Sequence, residues 1–89
     1  MAEQATTTQE KEDEHGHGAL VEVEIDGKPR RIRRGRYEIP ELKISLGVPP
    51  GYDLELVVNG EFKPLPDSSH MVIHGGEVFV SHVPRGGNS

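Results

Sequence analysis

The sequence predicts a small α+β domain in which one short helix lies across a mixed sheet of four to five strands. Residues 21–25 and 52–58 alternate apolar and polar side chains, which is the period of a half-buried strand. Asp26-Gly27 and Asn59-Gly60 come directly after these two runs, and such dipeptides close tight β-hairpins. The helix is indicated by one stripe of apolar residues at helical spacing, formed by Ile39, Leu42 and Leu46.

Length and composition limit the chain to one domain with a small aliphatic core. The chain has 89 residues, of which 33% are hydrophobic and 4% aromatic. It has no cysteine, which excludes disulfides, a thiolate nucleophile and any zinc site built on cysteine. No apolar run approaches the roughly 18 residues of a membrane span, and the N-terminus lacks the apolar core of a signal peptide. We therefore expect a cytoplasmic protein.

Residues 1–19 carry most of the acidity of the chain, whose net charge is −5. They balance to −4 and offer no apolar anchor, so we expect a disordered acidic tail. The pair His15 and His17 around Gly16 would hold copper or nickel weakly, but a polar spacer is the preferred interpretation and no metal site is predicted. The charged residues of the tail are Glu3, Glu10, Lys11, Glu12, Asp13 and Glu14.

Residues 20–84 form the predicted domain, which begins with a hairpin. The first strand starts at Leu20 and alternates through Ile25. The return strand, residues 30–34, has Ile32 as its only large apolar side chain, and Pro29 suits an edge or entry position. Gly35 ends this strand.

The helix is predicted over residues 39–46. Pro40 and Glu41 suit a first turn, where a missing N–H costs little and a carboxylate meets the helix dipole. Gly47 is placed as the C-terminal cap, and Pro49-Pro50 prevent continuation. Leu42 and Leu46 should pack onto four strand residues, which are Val23, Ile25, Leu56 and Val80.

The second half of the domain reads as three or four short strands. After the strand that ends at Val58, a second strand is expected over residues 61–65, followed by a turn at 66–69. Residues 71–73 form a brief apolar element, and Gly75-Gly76 turns the chain again. Residues 78–83 form the last strand, and residues 85–89 follow as a flexible C-terminal tail.

Five arginines within seven residues form the main charged feature of the domain. On a strand, Arg31 and Arg33 face one way while Arg30 and Arg34 face the other, so they do not form one patch. Three interpretations stay open: protection of an edge strand, docking of another protein and binding of nucleic acid. Nucleic acid is the least favoured, because no aromatic residue is interleaved for base stacking. The docking surface is assigned to Arg31, Arg33, Arg34 and Arg36.

The sequence offers no catalytic constellation, and we do not expect an enzyme or a cofactor. His70, His74 and His82 cluster late in the chain, but no acid stands at ligand spacing, so surface histidines are the better interpretation. Gly75-Gly76 is not a phosphate loop, because no Lys-Ser/Thr follows it.

Residues 21–84 resemble the multiubiquitin domains, bacterial ubiquitin-like proteins that occur as single or tandem β-grasp units. The resemblance covers about three-quarters of the chain and implies the β-grasp topology, in which the last strand enters the sheet centre beside the first. The matching runs, in order, are Ile25-Asp26-Gly27-Lys28, Glu41-Leu42-Lys43, Leu46-Gly47-Val48-Pro49, Gly51-Tyr52, Pro64-Leu65-Pro66-Asp67, His74-Gly75-Gly76-Glu77-Val78-Phe79 and Val83-Pro84-Arg85-Gly86-Gly87.

The resemblance implies a protein modifier that is conjugated through Gly87. An activating enzyme of the ubiquitin type would adenylate the glycine carboxylate, and a conjugating enzyme would pass the glycyl group to amines of target proteins. Pro84 and Arg85 would be read by these enzymes, and Gly86 and Gly87 lack the bulk that would block a narrow tunnel. Because Asn88 and Ser89 follow, a JAB-type metalloprotease would first cleave the Gly87–Asn88 bond. Operons of this type suggest a role in antiphage defence.

Two other functions remain open. The domain could be a non-covalent β-grasp binding module whose glycine-rich end is only a tail. It could also be a sulfur carrier, which shares the fold and the glycine pair, although such carriers normally end at the second glycine.

Overall fold

The structure, a computed structural model of the chain, describes residues 18–84. Residues 1–17 of the predicted disordered tail and the flexible tail predicted from Arg85 onward lie outside the described residues. Gly18 and Ala19, the last two residues of the predicted N-terminal tail, are described and are hydrogen-bonded to Arg34. Within residues 18–84 the chain forms seven strands and one α-helix. In chain order they are β1 (Leu20–Ile25), β2 (Lys28–Arg33), β3 (Gly35–Glu38), α1 (Ile39–Leu46), β4 (Asp53–Val58), β5 (Glu61–Pro64), β6 (His70–Ile73) and β7 (Val78–His82).

Five strands form one mixed sheet in the order β2-β1-β7-β4-β5. The pair β1–β7 is parallel, whereas β1–β2, β4–β5 and β4–β7 are antiparallel. The last strand therefore lies in the middle of the sheet beside the first, and α1 packs across one face. This is a β-grasp-like α+β arrangement, and it confirms the predicted mixed sheet with one short helix across it.

The helix has the bounds that its sequence predicts, because both of its end signals are local. Pro40 stands in the first turn, where its missing N–H has no intrahelical partner to lose. Gly47 closes the helix in the left-handed region with φ 78°, and its N–H donates to the carbonyl oxygen of Ile44 at 3.1 Å. Both hairpin turns also behave as predicted, since Asp26 and Asn59 have φ of 53° and 52° and each precedes a glycine with positive φ.

The core lies between α1 and the sheet. Leu42 is 0% exposed, and Leu46 is also buried. Val23 and Ile25 belong to the same buried cluster, and Leu56 packs against it half-buried, as predicted. The prediction for Val80 is wrong, since its neighbour Phe79 turns inward instead. The buried cluster consists of Val23, Ile25, Ile32, Tyr37, Ile39, Leu42, Leu46, Val48, Leu54, Ile73 and Phe79.

The first hairpin differs from its prediction at both ends. Strand β2 starts at Lys28, so Pro29 lies inside it rather than before it, on the outer edge of the sheet. At the other end β2 stops at Arg33, and Gly35, predicted only to end the strand, is the first residue of β3, which pairs with β6 in a separate two-stranded sheet. Pairing also begins before the predicted start of the domain, because the Gly18 N–H donates to the Arg34 carbonyl oxygen at 2.9 Å.

Candidate functional site: the tail root and the arginine surface

The chain leaves the sheet at the end of β7, and the glycine-rich C-terminal sequence follows. Val83 is 61% exposed and Pro84 is also exposed, so the chain has left the sheet by these two residues. The predicted conjugation residues Gly86 and Gly87, the preceding Arg85 and the Gly87–Asn88 bond lie outside the described residues. We call residues 81–84 the tail root.

The tail root is tied to the first hairpin by Asp26. Its Oδ1 accepts a hydrogen bond from the Ser81 N–H at 2.7 Å, and its Oδ2 accepts one from the Ser81 hydroxyl at 2.6 Å. Hydrogen bonds to a carboxylate are about twice as strong as neutral ones. These two bonds connect the first hairpin turn to Ser81, the first residue of the tail root, and so hold the position from which the tail departs.

Sequence reasoning found the Asp26-Gly27 turn but not the bond to Ser81, which is 55 residues away. Asparagine and aspartate both suit such a turn, so the residue type alone gives no sign of a distant partner. The available signal was a small hydroxyl residue directly after the three apolar residues that begin the last strand.

The face of the sheet that is turned away from α1, here called the open face, carries an apolar strip across β7, β4 and β5. Strand alternation places Val78 and Val80 on this face, opposite to the buried Phe79. Val57 pairs with Val78 on one side and with Phe62 on the other, and Phe62 is 60% exposed. The strip ends near His82, whose Nε2 lies 3.2 Å from Oε1 of Glu55.

The four arginines predicted to form one docking surface do not lie together in the structure. Arg31, Arg33 and Arg34 are exposed in or beside the edge strand β2, and we call these three the arginine surface. Arg36 lies on β3 in the other sheet, and its Nη1 is 3.2 Å from Oε2 of Glu38. Arg30 was not in the docking set. It points toward the helix, where its Nε donates to the Ser45 carbonyl oxygen at 2.9 Å.

The backbone of β2 is poorly suited to accept a further strand. The hydrogen-bonding groups of the main chain alternate in direction along a strand. Those of Arg34 bond to the β1 side, so those of Pro29, Arg31 and Arg33 face outward. Pro29 has no N–H to donate. The Arg33 carbonyl oxygen already accepts the Tyr37 hydroxyl at 2.5 Å. The edge is therefore protected, and a partner of the arginines would contact their side chains.

The arginine surface and the tail root lie at opposite ends of the sheet. Strand β2 starts at the Asp26-Gly27 turn, which touches the tail root, and runs away to Arg33 opposite Leu20. Six strand residues span about 20 Å at about 3.3 Å each. The arginine surface and the tail root are therefore two separate surfaces.

The three late histidines occupy different surroundings. His70 is the backbone partner of Glu38 in the two-stranded sheet, and the backbone N–H of His74 donates to the carboxylate of Glu77. The ring of His82 lies beside the carboxylate of Glu55. Within residues 18–84, no group of three or more His, Asp or Glu side chains is placed to hold a metal ion. In the same range no helix is long and apolar enough to cross a membrane.

Comparisons of the chain with models of protein families, with curated proteins and with solved structures gave no match.

Proposed function

We propose that this chain is a bacterial ubiquitin-like modifier of the multiubiquitin type, which acts in the cytoplasm and becomes linked through Gly87 to amines of target proteins. The main support for this proposal is the last strand, which lies in the centre of the sheet and is anchored at Ser81. It leads directly into an exposed segment, which Arg85-Gly86-Gly87 follow in the sequence. A rigid root with a slender extension suits delivery of a terminal glycine into the catalytic site of another protein.

Each chemical step sets a demand on the tail. Adenylation needs a free carboxylate on Gly87, so the Gly87–Asn88 bond must first be cleaved, and a JAB-type metalloprotease would do this. The activating enzyme then joins the carboxylate to the AMP part of ATP with release of pyrophosphate. A cysteine thiolate attacks the acyl carbon, forms a thioester and displaces the AMP. A conjugating enzyme passes the glycyl group to the target amine. A side chain at Gly87 would collide with these enzymes as they approach the main chain from both sides.

The residues before the glycines would be contacts for the same enzymes. Pro84 restricts the backbone where the tail departs, and Arg85 offers a planar guanidinium for a carboxylate of the partner. The chain itself supplies no cofactor and performs no catalysis in this scheme. Membership of an antiphage defence system belongs to the proposal and comes from the resemblance alone.

Thioester formation tests the proposal. A chain ending at Gly87 should form an ATP-dependent, thiol-reducible adduct with a cognate activating enzyme, seen by intact mass. The chain that retains Asn88 and Ser89 should do so only after the protease has acted. Gly87→Glu in the shortened chain should abolish the adduct without changing the melting temperature. Glu61→Ala, at an exposed position away from the tail root, is the control that should stay active.

A non-covalent binding module is the second candidate, and the apolar strip on the open face favours it. Phe62, Val57 and Val78 form a row across three strands that a partner protein could cover. In that case Phe62→Ser would remove partner binding, whereas Gly87→Glu would leave it intact. If the shortened chain is never charged by a cognate activating enzyme, or if a chain that still carries Ser89 is what joins targets, the modifier proposal is wrong.

A further inference from the structure

The three guanidinium groups of the arginine surface form no ion pair with another described residue. Within residues 18–84, the ion pairs involve Arg36, Lys43, Lys63 and His82, and none involves Arg31, Arg33 or Arg34. Glu22 lies opposite Arg31 across the β1–β2 pair but does not form an ion pair with it. Three neighbouring cations without a carboxylate partner in the described domain form a site for a strongly acidic ligand.

The N-terminal segment enters the domain at this site. The Gly18 N–H donates to the Arg34 carbonyl oxygen at 2.9 Å, and the Arg34 N–H donates to the Ala19 carbonyl oxygen at 2.9 Å. Nη1 of Arg33 also donates to the Gly18 carbonyl oxygen at 3.3 Å. A Cβ added to Gly18 would lie 2.8 Å from Cγ of Arg34, so the chain passes directly against an arginine side chain.

The segment also has complementary charge and sufficient reach. Residues 1–17 contain five acids and one lysine, and four of those acids fall between Glu10 and Glu14. This cluster stands four to eight residues before Gly18, a distance of about 13–28 Å for an extended chain. The arginine surface spans only about 10 Å along β2. Tethering holds the acids near the arginines at an effective concentration in the millimolar range.

We propose that the acidic segment, residues 1–17, is the occupant of the arginine surface in the free protein. The contact consists of exposed ion pairs that exchange among several acids and three guanidinium groups, because the acidic cluster, residues 10–14, has no apolar residue to anchor a fixed backbone. It shields the arginines from other acidic partners until one of them displaces the segment. This inference is independent of the modifier role, since the arginine surface lies away from the tail root.

Paramagnetic broadening in the full chain tests the contact. The chain has no cysteine, so Gln9→Cys gives a single site for a nitroxide label. The amides of residues 31–34 should broaden strongly in about 0.01 M salt, where the Debye length is about 30 Å. The amides of Val57 and Phe62, on distant strands, should not.

A variant with a charge-neutral segment measures the amide broadening that tethering alone produces. In the labelled chain with Glu10→Gln, Glu12→Gln, Asp13→Asn and Glu14→Gln, the excess broadening at residues 31–34 should be lost. Arg31→Gln with Arg33→Gln should also remove it, whereas Arg36→Gln should not, because Arg36 already has Glu38 as a partner. The excess should disappear in about 1 M salt, where the Debye length is about 3 Å. Equal broadening in the acidic and neutral segments would overturn the proposal.

Discussion

Lys43 is the buried charge on which the position of the helix depends. It lies on α1 with its side chain 5% exposed, and its Nζ donates to Oδ1 of Asp67 at 2.8 Å and to the Pro50 carbonyl oxygen at 3.3 Å. These bonds tie the helix to the loops after α1 and after β5. We expect Asp67→Ala to be clearly destabilising, because it leaves an ammonium group buried without its counter-charge.

The exposure of the two partners sets the size of the effect. Removing one partner of a fully buried pair costs about 3–5 kcal/mol, whereas an exposed pair contributes about 0.2–1 kcal/mol. The Asp67 side chain is 62% exposed, so water screens its end of the pair and the cost falls between these limits, at about 2 kcal/mol. For a domain of this size that loss corresponds to a melting temperature lower by about 8–16 °C.

Urea denaturation of four variants measures the effect. Lys43→Met keeps the apolar stem and removes the charge, so it should cost less than about 1 kcal/mol. The double variant with Asp67→Ala should be no less stable than Lys43→Met alone, because the acid then has no buried cation to neutralise. Glu61→Ala is the matched control, since its pair with Lys63 is exposed on both sides and 3.7 Å long. Additive losses in the double variant, or an Asp67→Ala chain as stable as the parent, would refute the reasoning.

Three further outcomes are expected. Leu42→Ala should cost about 2–5 kcal/mol, because Leu42 is 0% exposed, and an unchanged melting temperature would contradict the core described here. Asp26→Ala should cost about 1–3 kcal/mol by leaving Ser81 without its two bonds, whereas Ser81→Ala removes only one of them and should cost less in the same thermal denaturation. Residues 1–17 should give narrow amide signals of random-coil shift in solution, and protected, dispersed signals there would show a fixed docked backbone instead.

Features with local causes were predictable from the sequence. The bounds of α1 follow from Pro40 and Gly47, and the two hairpins follow from Asp26-Gly27 and Asn59-Gly60, because each signal lies at the position where it acts. The mixed sheet with one helix across it was predictable from the two-residue alternation of the strands and from the helical spacing of the apolar stripe. For the candidate site, the place where the tail leaves the domain was also predictable, since the last alternating run could be identified without its partners.

The remaining features depend on pairing between distant residues. Strand β3 was missed because Gly35-Arg-Tyr-Glu38 has a single apolar side chain, and its partner strand begins at His70. The face of Val80 was assigned wrongly because three apolar residues in a row give no alternation, and only the pairing of Phe79 with Leu56 fixes the register. The anchor between Asp26 and Ser81 and the separation of Arg36 from the other arginines were hidden for the same reason.

The parallel pairing of β1 with β7 explains why the arginine surface and the tail root lie at opposite ends of the sheet. Parallel neighbours run in the same direction, so the segment that precedes β1 and the segment that follows β7 leave from opposite ends of the sheet. Gly18 meets the arginines at one end, and Ser81 meets the Asp26 turn at the other. The order and direction of the strands therefore separate Gly18 and the arginine surface from Ser81 and the tail root, so the two proposals concern different ends of the sheet.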